Sequence, residues 1–484
     1  MALPQPAVPD GAFSALPQAV ARVPRALAFR HDVLPLNLVD GVLVVALPDP
    51  DDSEVVDTLR AATRLPVRAL PMARDAIRES LRLAYRGVPA TLARADRVDA
   101  PAVRVLDRVF ARAIAAHASD VHIEPLAGGG ARIRERVDGI FRDGETIAKE
   151  LLAACTSRLK LIAGMDIADR RQPQDGRCEI PFEARVVDAR VSSVPTLDGE
   201  KLVVRLLDRH GAAPNLEALG MPADILGWFR AAIRAPWGFV VVSGPTGSGK
   251  TTTLYASLAA LDTTTRSVCS VEDPIEMRLH GVSQVQTNSR AGVSFPVAVR
   301  AFMRQDSNVV MIGETRDRET SAVAITVALA GQLVFTTLHA NDAPRTIDRL
   351  SELGIARQPL AAGLTAIVAQ RLVRRLCEQC RVPEAAPAAS RPAFGPAARV
   401  WYAPGGCRAC SGTGYRGRTG VYELLAMDDA LRDAIATGSS SVQITRLAEA
   451  SGYRPMRHDA WAKVLAGTTS FAEVARVVGT GNRE

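Results

Sequence analysis

The chain has 484 residues, 47% hydrophobic and 23% charged, a composition that excludes a disordered protein and allows roughly two to four domains. Its net charge of +7 rests almost wholly on arginine, spread along the chain beside only five lysines (149, 160, 201, 250 and 463). Such a spread marks compositional bias, not a nucleic-acid or membrane surface. There is no apolar run of about 18 residues, and the first residues lack a basic region followed by an apolar core, so neither a spanning helix nor a secretory signal is expected. The seven cysteines are then expected as thiols in the cytoplasm.

In chain order, residues 1–87 read as a small first domain. Asp40-Gly41 signals a turn before a strand at Val42–Leu47, and helices follow at 54–62 and 74–85. Residues 88–100 read as a linker. The second domain, 101–212, opens with a helix at 101–117 and continues with strands at 121–123, 131–137, 185–191 and 201–207, an α+β pattern. Before Asp138-Gly139 the alternation of Arg132-Ile-Arg134-Glu135-Arg136 leaves the register open. Residues 213–370 alternate strands and helices as an open α/β sheet does. Cysteine pairs and a Pro/Ala-rich stretch occupy 371–425, and 426–484 reads as helical.

The α/β segment carries the chemistry. Gly244-Pro245-Thr246-Gly247-Ser248-Gly249-Lys250-Thr251 is a complete phosphate-binding loop, between an apolar strand at 238–243 and a helix at 252–260. The glycines let backbone N–H groups turn onto phosphate oxygens. Lys250 reaches the β- and γ-phosphates, the Thr251 hydroxyl ligates Mg²⁺, and the helix beginning at Thr252 points its N-terminus at the anion. ATP and Mg²⁺ are the expected ligands. Three later strands end in polar residues at the same sheet edge: Glu272-Asp273-Pro274-Ile275-Glu276, Gly313-Glu314, and His339-Ala340-Asn341-Asp342. Glu314 is the first candidate to orient or deprotonate the attacking water and Glu272 the second. His339 is placed to sense the γ-phosphate. Cys377-Glu-Gln-Cys380 and Cys407-Arg-Ala-Cys410, 26 residues apart, have the spacing of a closed four-thiolate zinc site.

These motifs, in this order, resemble the secretion ATPases of the type II secretion and type IV pilus families over about residues 1–425. Ala118–Pro125, Arg171–Arg177 and Asp188–Pro195 are further signatures. The resemblance implies a RecA-like P-loop ATPase core preceded by a PAS-like α+β domain and a small N-terminal domain, with a tetracysteine zinc subdomain. It implies arginine fingers, Arg190 and Arg205, supplied to a neighbour's ATP, and further nucleotide or subunit contacts from Arg300 and Arg304 (expected on one helix face), Arg316 and Arg418. It also implies a homo-hexamer whose residues 1–87 dock an inner-membrane platform protein, so that the ATPase lies in the cytoplasm, peripheral to the inner membrane, and drives type II secretion. A type IV pilus extension ATPase is the alternative reading. A DNA-translocating ring is a weaker one, since no helix-turn-helix or aromatic-basic strand platform is present and no nucleic-acid partner is expected. A scaffold that binds nucleotide without turnover is opposed by the intact Lys250, Thr251 and Glu314.

Overall fold

The computed structural model describes residues 16–84 (except 21, 24 and 40), 101–183, 185–207, 215–385 and 400–479. The expected linker at 88–100 lies outside the described residues. By internal packing the chain divides into two compact units. One holds the chain up to Ala115 with Val121–Ile133 and Gly144–Arg205. The other holds Ala116–Asp120, Arg134–Asp143 and the chain from Leu206 onward.

The first domain builds a three-stranded sheet from β1 (Leu34–Val39), β2 (Val42–Leu47) and β3 (Val67–Pro71), with β2 central. β2 alternates half-buried and buried residues, then ends in the buried run Val45-Ala46-Leu47. Helix Ser53–Thr63 starts where Asp52 accepts a hydrogen bond from the Val55 amide at 3.1 Å and ends at Arg64 in the left-handed region.

The second domain is a six-stranded sheet of β4 (Ala118–Pro125), β5 (Ala131–Val137), β6 (Ile140–Ile147), β7 (Gln174–Phe182), β8 (Arg185–Thr196) and β9 (Gly199–Leu207), in the order β6-β5-β4-β9-β8-β7. The strands expected from sequence are the four interior ones. The two it lacked, β6 and β7, are the edges, where a half-solvated strand shows little apolar alternation; β7 carries Gly176 and Pro181 and buries only Cys178 and Ile180. The register left open in β5 resolves into strict alternation, with Ala131, Ile133, Glu135 and Val137 inward. Asp138 and Gly139 both take positive φ, as a two-residue hairpin turn requires. Helix Lys149–Ile162 buries Lys160, which donates to Glu200 Oε1 at 2.8 Å and to the Asp169 carbonyl at 2.6 Å.

The core sheet is seven-stranded: β10 (Gly238–Ser243), β11 (Val268–Glu272), β12 (Val282–Gln286), β13 (Val309–Ile312), β14 (Leu333–Leu338), β15 (Leu364–Leu376) and, after a small two-stranded sheet of β16 (Val382–Ala385) and β17 (Val400–Ala403), β18 (Tyr415–Ala426). Its order is β12-β11-β13-β14-β10-β15-β18, parallel except where β18 runs antiparallel to β15. β10, β11, β13 and β14 are buried at every residue, which is why they read as mainly apolar runs and not as alternating ones. The boundary expected at 370 falls inside β15, because that strand continues past the core and ends one residue before Cys377. Helices 429–436, 441–450, 456–465 and 471–477 complete the C-terminal region. No described helix is long and apolar enough to cross a membrane.

Candidate functional site: a phosphate-binding loop and a thiolate cluster

Parallel pairing of β10 with β14 and β15 sets the loop between the end of β14 and the middle of β15. Ser243 lies opposite Leu338 on one side and Ala369 on the other, and the Gly244 amide donates to the Leu338 carbonyl at 3.1 Å. Gly244, Gly247 and Gly249 all adopt positive φ. A Cβ at Gly244 would stand 2.4 Å from the Gln370 carbonyl oxygen, so only glycine fits there. Helix Lys250–Ala259 begins at the lysine itself, two residues earlier than expected. Its ammonium donates to the carbonyls of Gly244 at 2.8 Å and Pro245 at 3.0 Å. Burial brings the Lys250 ammonium down to about 8, and the nearby Glu314 carboxylate works against that fall.

The loop fits a triphosphate. The Ser248 hydroxyl is buried and meets no hydrogen-bond partner among the described residues, and a Cβ at Gly247 would meet open space. Thr251 is half-buried in the first helical turn, where its hydroxyl would hold Mg²⁺, while Thr246 and Thr252 are exposed.

The acids arrive at the same edge with different environments. Glu314 follows β13, with its side chain 15% exposed and paired to Arg316. Its loop is fixed by Thr337 Oγ1 donating to the Gly313 carbonyl at 2.7 Å and by the Thr315 amide donating to the Thr337 carbonyl at 3.0 Å. Glu272, at the end of β11, is buried. Its carboxylate accepts from Tyr255 Oη, from Ser270 Oγ at 2.7 Å and from Gln284 Nε2 at 3.1 Å. Tyr255 Oη also accepts the amides of Glu276 at 3.0 Å and Met277 at 3.2 Å, so the helix that starts at Lys250 is latched to the acidic segment. Burial and then Glu272 push the Tyr255 phenol far above its ordinary value, which keeps it a donor. His339 is held below the usual imidazole range, first by desolvation, then by Lys250, with Glu314 opposing.

The arginines are distributed over the two units. Arg190 on β8 and Arg205 on β9 line a cavity of ≈410 Å³ together with Asp175, Arg177, Ser192 and Val203, all from the second domain. Arg177 on β7 is the register partner of Arg190 and joins the set that sequence reading named only within a signature. Arg300 sits in the last turn of helix Phe295–Phe302 and pairs with Glu319 at 2.8 Å. Arg304 lies beyond that helix, not on its face as expected, and donates to the Arg300 carbonyl at 3.0 Å. Arg418 lies on β18 and is exposed. Sequence reading also missed Tyr255 and Gln370, which lie in no motif but touch the acidic segment and the loop.

Cys377, Cys380, Cys407 and Cys410 bring their sulfurs within 4.8 Å of one another. The Sγ···Sγ distances are 3.9 Å for 377–407, 3.7 Å for 380–410 and 3.8 Å for 407–410. A tetrahedron of zinc–thiolate bonds of about 2.3 Å has an edge of about 3.8 Å, and these three separations match it. A disulfide needs about 2.05 Å. Three backbone amides face the sulfurs, from Gly406 to Cys380 and from Cys407 and Gly414 to Cys410, at 3.1–3.2 Å. Against desolvation, the amides of Cys407 and Gly414 draw the Cys410 thiol down to about 6. Desolvation and its thiol neighbours push Cys380 up to about 12. Cys410 therefore gives up its proton more readily than Cys380.

A loop of this kind with acids on the neighbouring strands defines a P-loop ATPase. Solved structures of the same fold include the Legionella pneumophila ATPase DotB (TM-score 0.56, 21% identity, covering 76% of this chain and 94% of that one) and the pilus retraction motor PilT with bound ADP (TM-score 0.51, 22% identity, 77% and 96%). The profile of the type II/IV secretion system protein family matches residues 95–476, and that of the MshEN domain matches residues 3–91. The chain is 44% identical over 378 residues to the type II secretion system protein HxcR of Pseudomonas aeruginosa, covering 78% of this chain and 77% of that protein. It is 40% identical over 499 aligned positions to the type II secretion system protein E of the same organism, covering 97% and 98%. It is 37% identical over 499 positions to the type IV pilus assembly ATPase PilB of Myxococcus xanthus, covering 97% and 88%. The chain belongs to the type II/IV secretion system ATPase family.

Proposed function

We propose that this ATPase powers a type II secretion system, working as a homo-hexamer at the cytoplasmic face of the inner membrane and docking a platform protein through residues 1–87. The observation that carries this is end-to-end similarity to a type II secretion protein E, at 40% identity over 97% of the chain. ATP with Mg²⁺ occupies the loop: the backbone amides and Lys250 take the phosphates, and Thr251 takes the metal. Glu314 orients the attacking water or takes its proton. Its half-buried carboxylate keeps acceptor capacity beyond Arg316, whereas Glu272 accepts from three donors and serves better to hold the acidic segment. His339, kept neutral, reports on the γ-phosphate. Arg190 and Arg205 meet the transferred charge from a neighbouring subunit, and Arg300, Arg304 and Arg316 line nucleotide or subunit contacts. Zinc held by Cys377, Cys380, Cys407 and Cys410 is structural, because four protein ligands leave no open position.

Pilus extension is the second reading, favoured by the 37% identity to the pilus assembly ATPase over 97% of the chain. A strain carrying Lys250→Ala in place of the wild-type chain decides between them. The secretion reading expects exported proteins retained in the periplasm with surface pili intact. Loss of pili with normal export would overturn it.

A further inference from the structure

We propose that Gln370 is a positioning residue of the nucleotide site, aiming the phosphate-binding loop from a strand more than a hundred residues away in the chain. Gln370 is 1% exposed on β15. Its Nε2 donates to the Ser248 carbonyl at 2.8 Å, and its Oε1 accepts from the Thr253 hydroxyl at 2.8 Å. The amide orientation follows from the partners, because a carbonyl oxygen can only accept and so must face the nitrogen. A Cβ on Gly249 would come within 3.2 Å of that nitrogen, which places the side chain directly behind the loop.

The geometry gives this contact a specific effect. In a planar trans peptide the C=O and the following N–H point opposite ways. Drawing the Ser248 carbonyl toward Gln370 therefore turns the Gly249 N–H away from it, into the mouth of the loop. The second contact ties the same side chain to Thr253, one turn into the helix that starts at Lys250. On the other side of the loop, Lys250 holds the carbonyls of Gly244 and Pro245. A phosphate that draws the ammonium to itself loosens those two bonds, while the Gln370 clamp stays. Gln370 thus lowers the reorganisation cost of closing the loop on phosphate.

The inference rests on the loop's binding nucleotide, so wild-type protein titrated with MgADP by calorimetry comes first. No binding by wild type would remove that reading and this proposal together. With wild type binding, Gln370→Met keeps the side-chain length and removes both hydrogen bonds, so the Ser248 carbonyl loses its Gln370 donor and the Thr253 hydroxyl its Gln370 acceptor. MgADP affinity should fall about 10- to 100-fold, with KM for ATP rising more steeply than kcat falls. Gln370→Glu adds a signature that a purely structural residue would not give. Buried, its carboxyl titrates above the ordinary glutamate range, and only the protonated form can donate to the Ser248 carbonyl. Its MgADP affinity should recover severalfold between pH 8 and pH 5.5 relative to wild type at each pH. MgADP binding by Gln370→Met within twofold of wild type would overturn the proposal. Should Gln370→Met fail to fold, a Gln370→Glu affinity that tracks wild type at every pH would overturn it instead.

Discussion

The Lys250 ammonium titrates within reach of ordinary buffers, and nucleotide affinity should follow it. In the nucleotide-free protein burial brings this group to about 8. Its only hydrogen-bond partners among the described residues are two neutral carbonyls, of Gly244 and Pro245. A bound triphosphate places several negative oxygens beside it, so the pKa in the complex rises. A ligand that raises a pKa binds the protonated form, so affinity is full below the free-state pKa and falls about tenfold per pH unit above it. Between pH 7 and pH 9.5 the protonated fraction drops from about 0.9 to about 0.03, and Kd should rise about 30-fold. The assay is equilibrium binding of a non-hydrolysable MgATP analogue across that range. Two variants sharpen it. Lys250→Arg keeps its charge throughout and should show a flat profile, whatever its absolute affinity. Glu314→Gln removes the carboxylate that supports the ammonium and should move the onset of the fall to lower pH. A wild-type profile flat to pH 9.5, or one steepest below pH 7, would refute the reasoning.

Protein purified without chelator should hold about one zinc per subunit by elemental analysis, and Cys407→Ser should lose it and open residues 377–410 to proteolysis; a metal-free native protein would remove the site. Arg190→Ala or Arg205→Ala should lower turnover about 10³-fold or more with little loss of ATP affinity. Mixing Arg190→Ala with Lys250→Ala subunits should restore part of the activity, and co-assembled mixtures as inactive as their parents would count against a role across the subunit interface. Glu473, its side chain fully buried, accepts from the Arg374 amide at 3.1 Å and from the guanidiniums of Arg374 and Arg476 at 2.6–3.0 Å. Desolvation works to raise its pKa, yet Arg476 and Arg374 hold it below the ordinary carboxylate value. The stability it gives is present above that ordinary value and is lost as pH falls through the folded-state one. Glu473→Ala should cost about 3–5 kcal/mol in urea unfolding at pH 7. Glu473→Gln should lose less stability than wild type between pH 5 and pH 3, and equal acid slopes would contradict this.

What the sequence disclosed follows burial. β10, β11, β13 and β14 are buried at every residue, so their apolar runs could be read directly, together with the loop and acids they end in. Of the first domain's strands only the central β2 was legible, and of the second domain's only the interior four; the edges β1, β3, β6 and β7 carry one-sided or polar patterns. Catalytic candidates within motifs were legible for the same local reason. Gln370 and Tyr255 were not, since each acts through a contact that only the folded sheet creates. Arg304 was misplaced because helix Phe295–Phe302 ends two residues short of it, although the i, i+4 spacing from Arg300 suggests a shared face.

The way the thiolate lobe is inserted limits how this chain can change. Leu376 and Tyr415, the residues that flank it, are register partners on β15 and β18, so the sheet order would survive if a tight turn joined them. Packing would not survive so easily. Trp401 of β17, contributed by the inserted segment, is 3% exposed and stacks on Phe471 at 4.8 Å, and Phe471 stacks in turn on Trp461 at 5.8 Å. Excision would strip the outer face from an aromatic column shared with the last helices. The lobe is separable in topology but not in the core, and a lobe-less version of this chain would need a recomposed C-terminal bundle.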